Sequence, residues 1–243
     1  NYLDRIQRYK SSLGIPIIAS LNGISTNGWI DTGRELQDAG ADALELNVYY
    51  IAADPDTASE VVEKRYIQLL TDLRQHITIP VTMKLSSQFS SVANMVLKLQ
   101  HAGAQGVSLF NRFYQPDIDL ETLQLKPHLE LSNSNESLLR IRWIALIRDY
   151  VNISIAATGG FHNTSDIIKA LLVGADITHL CSVLLNNGPS HISVIKDELL
   201  KWLEEHEYDS VTQMKGSLSK ACAINPEQLE HCNYMHVIKS YAQ

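Results

Sequence analysis

The sequence predicts an α/β fold, specifically a (β/α)8 TIM barrel with about six of its eight βα units present in this chain. Three observations support this fold. Short apolar, β-favouring runs alternate with amphipathic helical patterns, which is typical of a parallel sheet covered by helices. The length of 243 residues suits one barrel domain. A glycine-alanine turn also recurs before three of the strands, within 39–47, 102–111 and 173–181.

Each predicted element follows from the local hydrophobic periodicity and from the capping, glycine and proline residues at its ends. The predicted strands are 15–21, 43–49, 80–85, 106–111, 154–158 and 177–182. The predicted helices are 1–13, 26–39, 60–74, 91–101 and 138–150, one after the N-cap candidates 163–166, one from Pro189 to about 205, and a short one at 211–215. One domain, 1–243, is expected to contain an insertion at 112–135 and a helical tail at 206–243.

A closed barrel of this type has about eight strands, and six are visible. If the last two are strands seven and eight, the other two are expected upstream of Asn1. An open doubly wound sheet is the alternative. It is disfavoured because no glycine-rich G-x-G-x-x-G sequence follows any strand.

Composition narrows the function classes. A formal net charge of -7 gives no electrostatic footprint for nucleic acid. No apolar run approaches the roughly 18 residues of a membrane span, and no secretory signal is visible. The three cysteines, Cys181, Cys222 and Cys232, lack metal-ligand spacing. We therefore expect a cytoplasmic protein with no metal site and no membrane or nucleic-acid partner. A homodimer is a further expectation.

The stretch 154–188 predicts an anion site. Its first strand ends at Gly159 and Gly160 before a capped helix, and its second ends at Ser182. Backbone N–H groups of such turns and the N-terminus of a helix favour negative charge. In (β/α)8 barrels a phosphate commonly binds after strands seven and eight. Phosphate binding is therefore predicted here.

Polar residues follow the other strands, where barrel enzymes carry their chemistry. Asn22, Asn47, Lys84 and Asn111 with Arg112 end the four upstream strands. Lys84 has three interpretations: a fixed charge beside a flavin or oxyanion, a Schiff-base amine, or a surface lysine at the rim. No pair of carboxylates and no His–Cys cluster is seen at these ends, which argues against glycosidase and zinc chemistry.

Several segments resemble one family in the right order over nearly the whole chain. They are Leu44-Glu-Leu-Asn47, Val81-Thr-Met-Lys-Leu85, Phe110-Asn-Arg-Phe-Tyr-Gln-Pro-Asp117, Ala157-Thr-Gly-Gly160 and the segment from Ser182. They resemble the FMN-dependent dihydroorotate dehydrogenases of pyrimidine biosynthesis, and most of all the bacterial branch of dihydroorotate dehydrogenase-like proteins. Compared with that family, the chain is expected to lack an N-terminal part that carries two strands and a loop contacting the cofactor.

The resemblance implies a role for each matching residue. Asn47 would contact FMN and substrate, Lys84 would stabilise the negative charge of reduced flavin, and the backbone of Phe110 would pass along the flavin. Asn111 would bind substrate, and Arg112 stands where the family has a small polar substrate ligand. The FMN phosphate would be held through backbone N–H groups of Gly159, Gly160, Cys181 and Ser182.

The loop after Asn47 departs from the family pattern. The soluble enzymes have Asn-x-Ser-Cys-Pro-Asn, with the cysteine as base, whereas this chain has Asn47-Val-Tyr-Tyr50-Ile-Ala52. Tyr50 stands at the position of the base and Ala52 replaces a substrate-binding asparagine. Cys181 also stands where the relatives have glycine. The expected catalytic residues are accordingly Tyr50 and Lys84.

Three functions are compatible with these residues. The first is an FMN-dependent dehydrogenase that passes hydride between flavin and a small planar acid, either dihydroorotate or an analogue suited to Arg112. The second is a Schiff-base lyase or aldolase that uses Lys84 on a phosphate-bearing substrate. The third is a non-catalytic flavin-binding barrel that serves as a partner subunit. This hypothesis is motivated by the altered loop at Tyr50.

Overall fold

The computed structural model describes residues 1–22, 26–113, 115–230 and 238–239, with Thr26 and Asn27 described by their backbone alone. Gly23, Tyr114, Cys232 and the end of the predicted tail at 231–237 and 240–243 lie outside the described residues. The chain divides into two compact units, Asn1–Leu131 and Ser132–Gln243. The assignment of one domain to 1–243 stays a prediction.

The described part of the first unit has four parallel strands that alternate with helices, in spatial order β1-β2-β3-β4. The strands are β1 (Ile18–Asn22), β2 (Ala43–Asn47), β3 (Val81–Leu85) and β4 (Gly106–Leu109). The helices are α1 (Tyr2–Ser12), α2 (Thr26–Asp38), α3 (Ser59–Arg74) and α4 (Val92–His101). All four strands were predicted, although β2 and β4 each end two residues earlier than expected.

The two faces of this sheet differ in polarity because side chains alternate along a strand. In β2, Leu44 and Leu46 are fully buried on one face, and Glu45 and Asn47 lie on the other. The apolar face packs against the helices. At Gly33 of α2, an added Cβ would meet the side chain of Leu73 at 2.8 Å, so a larger residue would require that side chain to shift. The polar side chains of the opposite face do not take part in this helix packing.

The predicted insertion contains an antiparallel hairpin of β5 (Asp117–Asp119) and β6 (Gln124–Lys126). Asp119 Oδ1 accepts hydrogen bonds from the backbone N–H groups of Glu121 and Thr122, both at 3.0 Å, and these bonds lower the pKa of Asp119. Asp119 is thus a turn residue. The hairpin exposes four large apolar side chains: Ile118, Leu120, Leu123 and Leu125.

The second unit contains the parallel pair β7 (Ser154–Thr158) and β8 (Ile177–His179), with Ala156 paired to Ile177. Its helices are α5 (Ser137–Ile147), α6 (Thr164–Leu172), α7 (Ser182–Asn187), α8 (His191–Glu205), α9 (Val211–Met214) and α10 (Glu227–Glu230). Short 3-10 turns, Ser134–Glu136 and Arg148–Tyr150, flank α5. Asn163 caps α6 as predicted, whereas β8 ends at His179, before the predicted end at 182, and α7 begins at Ser182.

The described part of the tail packs against α5. Arg142 Nε donates to the carbonyl oxygen of Leu229 at 2.7 Å, and its Nη2 donates to that of Glu230 at 3.1 Å. Lys220 forms an ion pair with the Glu230 carboxylate. Both units have parallel strands connected through helices, which confirms the predicted α/β fold with six βα units of a (β/α)8 barrel.

The recurrent glycine-alanine turn has the same structural role at each of its three positions. The glycine follows a helix end with positive φ, a conformation that L side chains rarely adopt. The values are +94° at Gly40, +100° at Gly103 and +111° at Gly174. After the alanine comes a residue with a side-chain oxygen, either aspartate or glutamine. This oxygen binds the start of a neighbouring strand.

We call each of these contacts a reciprocal clamp. In a clamp, the backbone N–H of the residue after the alanine donates to the carbonyl oxygen of a partner residue, and its side-chain oxygen accepts from the N–H of the same partner. In the first unit, the Asp42 N–H donates to the oxygen of Ile17 at 2.8 Å, and Asp42 Oδ2 accepts from the Ile17 N–H at 2.7 Å. Gln105 and Val81 repeat this arrangement, with both distances 2.9 Å. The clamps set the register in which the parallel strands start.

Asp176 forms the third clamp, in the second unit, with Ile155 at 2.8 Å in both directions. Its carboxylate also accepts from Lys215 Nζ at 2.5 Å and Arg148 Nη1 at 2.9 Å. Burial alone would raise the pKa of Asp176. The bonds from Lys215 and Ile155 and the charge of Arg148 outweigh burial and lower the pKa below its usual value. The folded state therefore favours the ionised carboxylate.

We expect Asp176→Asn to destabilise the protein by about 2 kcal/mol at pH 7, because it removes a charge-assisted hydrogen-bond set. The folded-state pKa of Asp176 is depressed, so its stabilisation is present above the unfolded-state pKa and is lost as pH falls through the folded-state pKa. Urea unfolding should show the two free energies of unfolding converge below about pH 4. Asp197→Asn, which alters an exposed pair with Lys196, is the matched control. A gap that does not depend on pH would contradict this account.

Candidate functional site

The carboxyl ends of β2, β3 and β4 bring three polar residues into one row. Asn47 is in register with Lys84, and Lys84 is in register with Ser108. Because neighbours in register on parallel strands point to the same face, these side chains share the polar face of the first unit's sheet. Asn22 lies opposite Asn47 at the end of β1 and extends the row.

Two predicted substrate residues are joined directly. Asn111 Nδ2 donates to Asn47 Oδ1 at 2.5 Å, and the backbone N–H of Asn111 donates to the oxygen of Leu85 at 2.6 Å. These bonds hold the segment after β4 against β3. Phe110, immediately before, is only 1% exposed and secures that segment in the core. The two amides therefore act as one hydrogen-bonded pair.

Lys84 is accompanied by a carboxylate that the sequence analysis did not consider. Lys84 Nζ lies 3.5 Å from Glu45 Oε1, and Ser108 Oγ donates to Glu45 Oε2 at 2.7 Å. Glu45 is 7% exposed and Ser108 is fully buried. A signal was available in the sequence. Glu45 precedes Asn47 by two residues in a strand, so both side chains must lie on the same face.

Tyr50, the candidate proton-transfer residue, is half-buried beneath the guanidinium of Arg65, whose Cζ lies 4.5 Å from the ring centroid. A cation over an aromatic face attracts it electrostatically and restrains the ring. Close by, burial and the neighbouring Tyr50 raise the pKa of Tyr66 to about 12. Tyr66 stays a neutral phenol that donates weakly to the oxygen of Val48 at 3.5 Å. Its role is structural.

Arg112 is exposed, and its Nη1 donates to the main-chain oxygen of Glu130. This bond ties the guanidinium to the chain that follows the hairpin. Phe113 packs edge-on against Tyr49, with ring centroids 4.5 Å apart. The ring contact connects the segment after β4 to the loop after β2, the loop that carries Tyr50.

In the second unit, both glycines after β7 have positive φ, +88° at Gly159 and +93° at Gly160. A Cβ at Gly160 would lie 2.3 Å from the backbone nitrogen of Ser137, and one at Gly159 would lie 3.0 Å from Arg140 Nη2. Arg140 donates from Nε to the oxygen of Thr158 at 3.1 Å and so supports the turn from below. Only glycine fits this turn without strain.

Ser182 lies in a hydrogen-bonded cluster with two residues that the sequence analysis gave no role. Ser132 Oγ donates to Ser182 Oγ at 3.0 Å and lies 2.9 Å from His162 Nε2. The backbone N–H of Ser132 also donates to Ser182 Oγ at 3.3 Å. Cys181, just before Ser182, is an exposed free thiol. Pairings between such distant residues leave no mark in the local sequence.

Within residues 1–22, 26–113, 115–230 and 238–239, no three His, Cys, Asp or Glu side chains group in a way that could hold a metal ion. None of the described helices combines the length and apolar character needed to cross a membrane.

Comparison with known proteins places these residues in a family. The family profile described as dihydroorotate dehydrogenase matches residues 1–203. The catalytic subunit of a dihydroorotate dehydrogenase B (NAD(+)) from Halalkalibacterium halodurans is 26% identical over 89% of this chain and 72% of its own length. A dihydroorotate dehydrogenase A (fumarate) from Lactobacillus helveticus is 24% identical over 84% and 68%. The corresponding catalytic subunit from Thermoplasma acidophilum is 22% identical over 89% and 72%.

The profile covers the six parallel strands of the described residues, together with Asn47, Lys84, Asn111, Gly160 and Ser182. The resemblance first suggested by short motifs therefore extends across both units. From its fold and from this match, the chain belongs to the dihydroorotate dehydrogenase family.

Proposed function

We propose that the protein is an FMN-dependent oxidoreductase that oxidises dihydroorotate or a closely related planar acid. The observation that carries this proposal is the row of Asn47, Lys84 and Ser108 at successive strand ends of a dihydroorotate dehydrogenase-family chain. When bound, the flavin would accept hydride from the substrate carbon. The other roles fall to the residues of this chain.

The residues of the first unit fit the ring system of a flavin. A flavin presents carbonyl and ring-nitrogen acceptors, and negative charge develops on them during reduction. Lys84 supplies a fixed positive charge that is 20% exposed, hence accessible but partly shielded from water. Fixed charge placed where charge develops stabilises that state without costly reorganisation. We assign Lys84 to the reduced flavin.

The amide pair supports binding of a planar ring. Because Asn111 Nδ2 donates to Asn47 Oδ1, the remaining groups are the Nδ2 of Asn47 and the Oδ1 of Asn111. One is a donor and the other an acceptor, which complements the C=O and N–H groups of a cyclic imide or amide. Asn47 and Asn111 would orient substrate, and Arg112 would favour an acidic one.

Tyr50 is proposed as the proton acceptor: its phenol first releases its own proton to solvent, and the resulting phenolate oxygen takes the proton from the substrate. It holds the loop position expected for a base, and the cation–π contact with Arg65 restrains the ring. Positioned proton transfer commonly contributes about 10²- to 10⁴-fold to a rate. The high pKa of Tyr66 argues against that neighbour as the alternative base.

In the second unit, we propose that backbone N–H groups of Gly159, Gly160, Cys181 and Ser182 bind the phosphate that distinguishes FMN from riboflavin. The positive φ angles of both glycines, which form a turn of successive backbone N–H groups, support this assignment. Backbone N–H groups in such turns are common anion ligands. Ser182 Oγ, held by Ser132, is a further potential partner.

A Schiff-base lyase remains the second candidate because Lys84 and the phosphate turn would suit it. The ion pair with Glu45 uses the charged ammonium, whereas attack on a carbonyl needs the neutral amine. The contact therefore favours a fixed-charge role for Lys84.

A homodimer and a cytoplasmic location also stay proposals. The exposed apolar side chains of the β5–β6 hairpin, such as Leu120 and Leu123, support contact with a second copy.

Replacing Lys84 with Met should lower the two-electron midpoint potential of the bound flavin, because the reduced form loses its positive partner. We expect reduced flavin to bind roughly tenfold more weakly relative to oxidised flavin. Spectral titration against a reference dye measures the potential. Lys98→Met, which removes a lysine paired with Glu63 on the helices, is the control and should leave the potential unchanged. Equal potentials in all three proteins would exclude the role.

Tyr50→Phe should retain bound flavin and lose reduction by dihydroorotate by about 10²-fold or more, because only the phenolic oxygen is removed. Anaerobic stopped-flow absorbance of the flavin band reports the reductive step. The control is Tyr49→Phe, the adjacent residue whose ring packs on Phe113. If wild-type flavin is never bleached by dihydroorotate, this substrate is wrong. If Tyr50→Phe reacts at the wild-type rate, another base acts or the proton leaves to water.

FMN should bind at least about tenfold more tightly than riboflavin if the glycine turn holds the phosphate, given the strength of charge-assisted hydrogen bonds. Gly159→Ala should erase most of this preference, because alanine is strained at φ +88° and its Cβ approaches Arg140. The matched control is Gly188→Ala, where φ is also positive, at +82°, and the Cβ meets nothing within 4 Å. Fluorescence quenching gives both affinities. Equal affinity of the wild type for the two flavins would contradict the assignment.

A further inference from the structure

We propose that Glu45 is a positioning residue that holds the Lys84 ammonium in place and offsets part of its charge, and that Ser108 in turn fixes Glu45. This inference deepens the proposed function, since it takes Lys84 to act on a flavin. It concerns side chains of the first unit only. It assigns a role to a carboxylate in the middle of an otherwise apolar strand.

The placement of Glu45 is specific. It lies two residues before Asn47 on β2, so it occupies the polar face one layer below the row formed by Asn47, Lys84 and Ser108. Its side chain reaches diagonally to the neighbouring strands. Oε1 lies 3.5 Å from Lys84 Nζ, and Oε2 accepts from Ser108 Oγ at 2.7 Å. Each carboxylate oxygen thus has a different partner on a different strand.

Burial makes these partners necessary. Glu45 is 7% exposed, and a buried carboxylate is tolerated when hydrogen bonds and an opposite charge replace its water. Ser108 is fully buried, and its hydroxyl can satisfy its own donor by bonding to Glu45. The lysine is the partly exposed member of the group. Its methylene chain is flexible, and the ion pair restricts where its ammonium can lie.

The ion pair has an electrical consequence. An ammonium alone stabilises an anionic reduced flavin, and a carboxylate 3.5 Å away subtracts from that positive potential. Neutralising Glu45 while keeping its shape would leave the ammonium unopposed. The reduced flavin would then be stabilised and the midpoint potential would rise. If the carboxylate were purely structural, its neutralisation would lower the stability of the protein and would not raise the midpoint potential of the flavin.

The test compares midpoint potentials of flavin-loaded wild-type protein, Glu45→Gln and Glu63→Gln. Glu63 is the matched control because it too is a glutamate paired with a lysine, Lys98 at 2.8 Å, but it lies on helix α3. We expect Glu45→Gln to strengthen binding of reduced relative to oxidised flavin by roughly tenfold, which is about 30 mV for a two-electron couple. Glu63→Gln should match the wild type.

Ser108→Ala provides a second variant in case Glu45→Gln folds poorly. Without its fixed donor, Glu45 should offset Lys84 less completely, so the potential should rise by a smaller amount. An unchanged or lower potential in the folded variants would overturn this inference while leaving the flavin assignment intact. If wild-type protein binds no flavin in the same spectral titration, the proposed function fails, and this inference fails with it.

Discussion

Strand register is the constraint on which the candidate site depends. Asn47, Lys84 and Ser108 lie in one row only because β2, β3 and β4 start at fixed offsets from one another. A slip of one residue would turn each of them into the apolar layer. The reciprocal clamps at the amino ends of the strands oppose such slips between β1 and β2 and between β3 and β4. Because each clamp bonds both main-chain groups of its partner, it restricts both the position and the direction of the strand.

The two faces of the first unit's sheet divide packing from chemistry. Leu44 and Leu46 anchor β2 against the helices, and Glu45 and Asn47 between them stay available for polar contacts. The alternation has an electrostatic effect. The negative charge of Glu45 offsets the positive charge of Lys84, so the polar face concentrates donors and acceptors without a large local net charge. Arg140 supports a different turn in the second unit by bonding to main-chain oxygens.

Much of the fold could be predicted because its signals are local. The glycine of each recurrent turn needs positive φ, and Asn163 caps its helix through its own side chain, so both are visible in a short window. The predicted ends of the strands were less accurate than their positions in the sequence. β2 stops at Asn47 because no residue after it continues the ladder with β3, and local propensity does not report the length of a partner strand.

The candidate site was only partly predictable. Asn47, Lys84 and Asn111 were identified because they are polar residues at the ends of apolar strands. Their roles in binding or catalysis stay proposals. Glu45 was missed because a carboxylate inside a strand makes sense only with partners supplied by other strands. The cluster of Ser132, His162 and Ser182 joins positions up to 50 residues apart and has no local signature.

The clamps also bear on how this architecture tolerates change. They lie at the amino ends of the strands, whereas the loop that carries Tyr50 follows a carboxyl end. Substitutions in that loop therefore leave the alignment of Lys84 with Ser108 to the clamp of Gln105 with Val81. A chain built this way can exchange its reactive loop and keep a working scaffold. Tyr50, which the resemblance sets at the position of a cysteine base, is a change that such a scaffold can accommodate.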